Sequence, residues 1–295
     1  MPDGLSTNRN CEAFGDCLLQ AGKAFVVRYH ASHTLQPHKR LTPREAAQLA
    51  RAGLDIVTVY QDRGNQPGDF SLARGEQDGH AAFTFASQVG QPPGSAVYFA
   101  VDADMSMAQV NDAVLPYFQG VRAGLAAMAG GTGGSTGFRV GVYGSGRVCQ
   151  RVKENHALAE LSWLAQSTGW ADSKTYATWD MQQGFASGPL CALGTHWEHV
   201  EARGDAGDFA LRPLARDEGA GELGVVGVIL EVKDLHDCSS DFRLAKPGAA
   251  GRAASRVRGK NNDRPLADNR RWAVAGRSAT RSRNRPTGRG GCGRR

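Results

Sequence analysis

Along the first 210 or so residues, short apolar runs alternate with longer stretches whose apolar residues recur every three or four positions. The short runs are Phe25-Val26-Val27-Arg28-Tyr29, Ile56-Val57-Thr58-Val59-Tyr60, Ala96-Val97-Tyr98-Phe99-Ala100-Val101, Arg139-Val140-Gly141-Val142-Tyr143, Leu161-Ser162-Trp163-Leu164-Ala165-Gln166 and Tyr176-Ala177-Thr178-Trp179-Asp180. A run apolar on both alternating faces predicts a strand buried on both sides, as in parallel sheets covered by helices. Residues 4–8 add a short leading segment. Helices are predicted over 11–22, from Thr42 to Gly53, over 71–90, over 107–129, and around Val148 and Val152. Thr42 is placed as an N-cap, with Pro43 in the first helical position and Glu45 completing a capping box. The stripe Val110, Val114, Phe118, Val121, Leu125 marks one face of the long helix. Seven or eight such strand–helix units predict an α/β fold, a compact (β/α)8 TIM barrel over residues 1–213. The rival is a doubly wound open sheet. No Gly-x-Gly-x-x-Gly follows the first strand, however, and no Lys follows Gly144-Ser145-Gly146 as a phosphate loop needs.

Beyond residue 213 the alternation stops. Residues 214–247 form an extension of uncertain character with one apolar, β-prone stretch at 224–232. Residues 248–295 are Gly, Arg, Ala, Ser and Asn with few large apolar side chains, which predicts a disordered basic tail. From Gly251 onward, 14 Lys and Arg face only Asp263 and Asp268, a net of +12; with +6 for the whole chain, the preceding residues carry −6. The pI of about 9.1 therefore describes the tail and not the ligand of the body. Such a tail is a weak candidate for nucleic-acid contact. A GC-rich reading frame shifted out of register gives the same composition, and both readings stay open.

The six cysteines, Cys11, Cys17, Cys149, Cys191, Cys238 and Cys292, form no C-x-x-C pair and have no zinc-ligand neighbourhood. Reduced thiols are expected, with no metal and no cofactor. The first eight residues lack the basic and apolar regions of a secretory signal. No stretch approaches the ~18 apolar residues of a membrane span. A cytoplasmic setting is the expectation, with export or release by another route left open. The sequence says nothing about oligomeric state.

In parallel α/β folds the chemistry gathers at the C-terminal ends of the strands. The fourth strand is expected over 96–104 and ends in Asp102 and Asp104, two acids one residue apart that share a face by the period-two rule. They are the candidate catalytic pair. The other strand ends supply Ser6, Arg28, Tyr29, Tyr60, Gln61, Asp62, Tyr143, Trp163, Gln166, Trp179 and Asp180. Amides and carboxylates pair with hydroxyls, and rings stack on sugar C–H faces, so this set suits an uncharged polyol such as a glycan. Each ring also has a core reading, Arg28 one as the neutraliser of a nearby acid, and Asp62 one as a helix cap.

The ordered segments Lys39-Arg40-Leu41-Thr42-Pro43-Arg44-Glu45-Ala46, Gly53-Leu54-Asp55-Ile56-Val57, Val59-Tyr60-Gln61-Asp62, Ala96 to Asp102, Arg139 to Gly146 and Trp163-Leu164-Ala165-Gln166-Ser167 resemble a bacterial glycoside hydrolase-like family. That family is a TIM barrel similar to the lysozymes of glycoside hydrolase family 25. The resemblance covers about residues 4–212. It implies cleavage of the peptidoglycan glycan, between N-acetylmuramic acid and N-acetylglucosamine, by an acid ending the first strand and an Asp-x-Glu ending the fourth. Asp102 stands at the Asp and Asp104 at the Glu, the general acid. Ser6 stands where the first-strand acid is expected. The sequence thus implies a glycoside hydrolase acting on peptidoglycan or a related glycan; the alternative is a non-catalytic carbohydrate-binding barrel, because Ser6 carries no charge. Asp62 and Asp180 are candidates for a third acid.

Overall fold

The computed structural model describes residues 1–130 and 136–211. Eight strands close into a barrel in chain order: β1 (Asp3–Ser6), β2 (Phe25–His30), β3 (Asp55–Tyr60), β4 (Ala96–Ala100), β5 (Arg139–Gly144), β6 (Leu161–Leu164), β7 (Met181–Gly184) and β8 (Glu198–Ala202). Strands β1 to β7 are parallel neighbours, as the buried runs predict. The expected TIM-like α/β barrel is present with one change: β8 runs antiparallel to both β7 and β1. This reversal brings Glu198, the first residue of β8, into register with Ser6, the last residue of β1.

The helices are α1 (Gly15–Gln20), α2 (Pro43–Arg51) and α3 (Leu72–Gln88). Next comes a continuous α4, running from Met107–Gln109 through a π-helical turn at Val110–Val114 into Leu115–Met128. Last is α5, Gly146–Cys149 with a π-helical continuation at Gln150–Asn155. Thr42, Ser71, Ser106 and Ser145 each accept the backbone N–H three residues on, satisfying donors that a helix start leaves open. Glu45 departs from the expected capping box. Its buried carboxylate instead accepts from Arg28 Nε at 2.7 Å, Arg28 Nη2 at 3.1 Å and the Cys11 amide at 2.7 Å.

The barrel interior is filled by Phe25, Val27, Val57, Val59, Tyr98, Trp163, Met181 and Val200. Outside it, Leu5, Leu18, Val26, Leu49 and Ile56 pack beneath α1 and α2, and Phe99, Val114, Phe118, Val121 and Val142 beneath α3 to α5. Helices α3 and α4 approach through glycines. A Cβ on Gly75 would collide with the Tyr117 carbonyl, one on Gly120 with the Leu72 carbonyl and one on Gly124 with the Glu76 carbonyl.

Three expectations are corrected. Strand β4 ends at Ala100, so Asp102 and Asp104 stand in the loop beyond it. The run at 176–180 is not a strand; the seventh strand is Met181–Gly184. Cys17 on α1 and Cys191, in the β7–β8 connection, form a disulfide across a separation of 174 residues. That bond replaces the expected reduced thiols and removes the support they gave to a cytoplasmic setting. Cys11 and Cys149 are free and buried, and burial lifts the Cys11 thiol to about 12. No described helix is long and apolar enough to cross a membrane. The extension at 214–247 and the tail at 248–295 lie outside the described residues.

Candidate functional site

Side-chain alternation decides which residues at the strand ends reach the barrel interior. Ser6, Tyr29, Tyr143, Gln183 and, from the reversed β8, Glu198 do so at one rim. Ser6 Oγ donates to Glu198 Oε2 at 2.6 Å, and Gln183 Nε2 donates to the same oxygen at 2.7 Å. The Tyr143 hydroxyl donates to Gln183 Oε1 at 2.8 Å. Gln166, just past β6, brings its backbone amide to that Oε1 at 3.4 Å. Below this ring lies Trp163, 1% exposed, its indole edge-on to Tyr143 and Tyr98 with centroids 4.7 and 6.1 Å apart. Trp163 is therefore the floor of the mouth and not an open platform.

On the other side, Asp102 Oδ2 accepts from Gln61 Nε2 at 3.2 Å, and Gln61 Oε1 accepts from Lys39 Nζ at 3.0 Å. Lys39 Nζ lies 4.5 Å from the centroid of the Tyr29 ring. Strands β4 and β8 are half-way round the ring from one another, so Asp102 and Glu198 stand on opposite sides of the mouth. Burial first, and then the charges of these two acids, push the hydroxyls of Tyr29 and Tyr143 well above the ordinary tyrosine range. Both phenols thus stay protonated and able to donate. Asp104 is exposed, and its Oδ1 accepts from the Ala171 amide at 2.9 Å. Past the end of β4 strict alternation lapses: Asp102 bonds toward β3, Asp104 toward the β6–β7 connection.

Five residues expected at the mouth are elsewhere. Arg28 and Tyr60 fall on the outward faces of β2 and β3, one position out of phase with Tyr29 and Gln61. Arg28 is fully buried against Glu45, the core role its type allows. Asp62, its side chain 2% exposed, joins Tyr60, Arg74 and His33 in a polar cluster outside the barrel. Trp179 and Asp180 precede β7 and sit at the opposite, entry end. There Asp180 Oδ2 takes Lys153 at 2.5 Å and the Ser162 amide at 2.7 Å, and Arg203 lies over the Trp179 ring. Neither Asp62 nor Asp180 reaches the mouth as a third acid.

Sequence reasoning missed Glu198, Gln183 and Lys39. The first two lie on strands too polar to register as apolar runs, and Lys39 lies in a loop. The exposed rim also carries Phe185, one residue past β7 and 76% exposed.

The family described as the Rv2525c-like, glycoside hydrolase-like domain matches residues 16–208. The chain belongs to this family. Two Bacillus subtilis (strain 168) proteins are similar to this Rv2525c-like chain. Uncharacterized protein YbfG is 34% identical over 133 residues, 45% of the chain and 18% of YbfG. Uncharacterized protein FadG is 28% identical over 165 residues, 55% of the chain and 27% of FadG. The chain thus spans less than a third of the length of either. Among solved structures, the Tat-secreted protein Rv2525c of Mycobacterium tuberculosis, crystallised with L-tartrate, superposes with a TM-score of 0.57 at 17% identity. That match covers 68% of this chain and 95% of the other, and the two share the fold.

Proposed function

We propose that the barrel mouth binds a glycan, peptidoglycan or a close relative, and hydrolyses it, with Asp104 as general acid and Asp102 as the assisting carboxylate. The observation that carries this reading is the 2.6 Å bond from Ser6 to Glu198. Ser6 lacks the charge expected at the end of the first strand, and the neighbouring antiparallel strand delivers a carboxylate to that same spot. Glycosidases usually need two carboxyl groups flanking the scissile bond, and Asp102 and Glu198 flank the mouth. Tyr29, Tyr143 and Gln166 offer hydroxyls and an amide to sugar hydroxyls and Phe185 offers an exposed ring, while the buried Ser6 and Gln183 hold the Glu198 carboxylate in place.

In the reaction, the Asp104 carboxyl gives its proton to the glycosidic oxygen as the anomeric C–O bond breaks. The developing positive charge on the sugar lies between the carboxylates of Asp102 and Glu198. A water oxygen then bonds to the anomeric carbon and its proton passes to the Asp104 carboxylate, restoring the acid.

One observation favours a second reading, the non-catalytic binding barrel. Asp104 is a methylene shorter than the expected Glu and already holds the Ala171 amide. Release of reducing ends from purified glycan strands separates the two. Hydrolysis predicts release by the wild type and a loss of roughly 10²-fold or more in Asp104→Asn and in Glu198→Gln. Background release from all three proteins, with glycan still retained by the wild type, establishes binding alone.

A further inference from the structure

Lys39 closes a short 3₁₀ turn, Pro37–Lys39, in the β2–α2 connection and reaches over the mouth. Lys39 is half-buried, yet among the described residues no carboxylate comes within the 4.0 Å of an ion pair. Lys23 and Lys153, by contrast, have Asp3 at 3.0 Å and Asp180 at 2.5 Å. The donors of Lys39 go to neutral oxygens of one residue, Gln61 Oε1 at 3.0 Å and the Gln61 carbonyl at 3.4 Å, while the Tyr29 ring lies against it. Asp102 is held off by the Gln61 amide, which accepts from Lys39 on one side and donates to Asp102 on the other. An ammonium partly removed from water, with neutral partners only, is an incomplete site: it has given up hydration without gaining a counter-charge. Burial pulls its pKa down, against the upward pull of Asp102 and Asp62, as expected for an ammonium lacking a direct ionic partner.

We propose that Lys39 is the recognition point for a free carboxylate on the bound saccharide, so that the mouth selects acidic sugars over neutral ones. This deepens, and rests on, the glycan reading above. The class that fits is a sugar with a single carboxylate, as in a uronic acid or the lactyl ether of N-acetylmuramic acid when that acid is not amide-linked. Asp102 and Glu198 make the flanks of the mouth negative, which confines an anionic group to the Lys39 side and disfavours a polyanion. Lys39 is a specificity residue here and takes no part in bond breaking.

The test uses the disaccharide of N-acetylglucosamine and N-acetylmuramic acid and its carboxyl methyl ester, titrated into the full chain by NMR at low ionic strength. The expected result is acid binding at least fivefold tighter than ester. In Lys39→Gln that preference falls to within twofold, and in Lys39→Arg it is largely kept. Arg63→Gln, which removes an exposed cation from the next rim loop, keeps the preference and so controls for general charge. Equal affinity of acid and ester for the wild type overturns the carboxylate inference and leaves the glycan reading standing. An equal loss of preference in Lys39→Gln and Arg63→Gln overturns the assignment to Lys39. Failure of the wild type to bind either sugar overturns both readings together.

Discussion

His30 is fully buried on the outer face of β2, stacked on Phe85 with centroids 5.9 Å apart, and neither ring nitrogen has a partner among the described residues. Burial is the main cause that lowers its pKa from 6.5 to about 4; Arg28 and Arg40 push the same way, and Gln91 opposes. The unfolded chain takes up this proton near pH 6.5 and the folded chain only near pH 4. Stability is therefore full above pH 6.5, falls as the pH drops from 6.5 to 4, and loses nothing more from this group below that. The shift corresponds to roughly 3 kcal/mol. Denaturant titrations should show this slope in the wild type and a flatter one in His30→Leu; identical slopes would contradict it. Arg28 makes a second case. Replacing it by Met leaves Glu45 buried and unpaired, with an expected loss of about 3–5 kcal/mol in chemical denaturation. A loss under 1 kcal/mol would show the pair to be dispensable. At this scale the sequence was ambiguous in one specific way. Arg28 and Tyr29, or Tyr60 and Gln61, are adjacent and cannot share a face. A strand buried on both sides, however, carries no polar alternation to say which of each pair points inward.

Among the elements, α3 and α4 depend most on a single residue type. Gly75, Gly120 and Gly124 let the two backbones meet where any Cβ would strike a carbonyl. Gly124→Ala raises helix propensity yet forces the pair apart. The expected balance is a loss of about 1–3 kcal/mol in thermal or denaturant unfolding, and a gain in stability would contradict the packing account. Strands β2 to β6 were legible because both of their faces are buried and apolar. No α-helix separates β6 from β7 or β7 from β8, only a 3₁₀ turn at Cys191–Leu193, so the outward residues Gln182, Gly184, His199 and Glu201 are half-exposed and the apolar-run signal vanishes. The seventh strand was consequently read a few residues early, the eighth was not read at all, and Glu198 went with it. Asp102 was legible for the opposite reason: it follows a strand buried at every position, where an acid has only the open end to occupy.

At the scale of the barrel, ring closure and the disulfide tie its first and last strands together. The Cys17–Cys191 bond joins α1 to the connection leading into β8, the strand that carries Glu198. Cleaving it by the Cys17→Ser, Cys191→Ser double change should cost about 2–4 kcal/mol. Mass mapping of the unreduced protein should recover the two cysteines in one linked peptide pair; free alkylation of both would refute the bond. The central claim is wider: residues from β1, β2, β5, β7 and β8, with Asp102 beyond β4, form one saccharide-binding mouth. The most direct measurement is a titration of peptidoglycan-derived disaccharide into protein carrying ¹³C-labelled tyrosine rings. The account predicts that Tyr29 and Tyr143 shift together and saturably, while Tyr117, buried outside the barrel between α3 and α4, stays fixed. Shifts that leave Tyr29 and Tyr143 untouched, or no shifts at all, would contradict it.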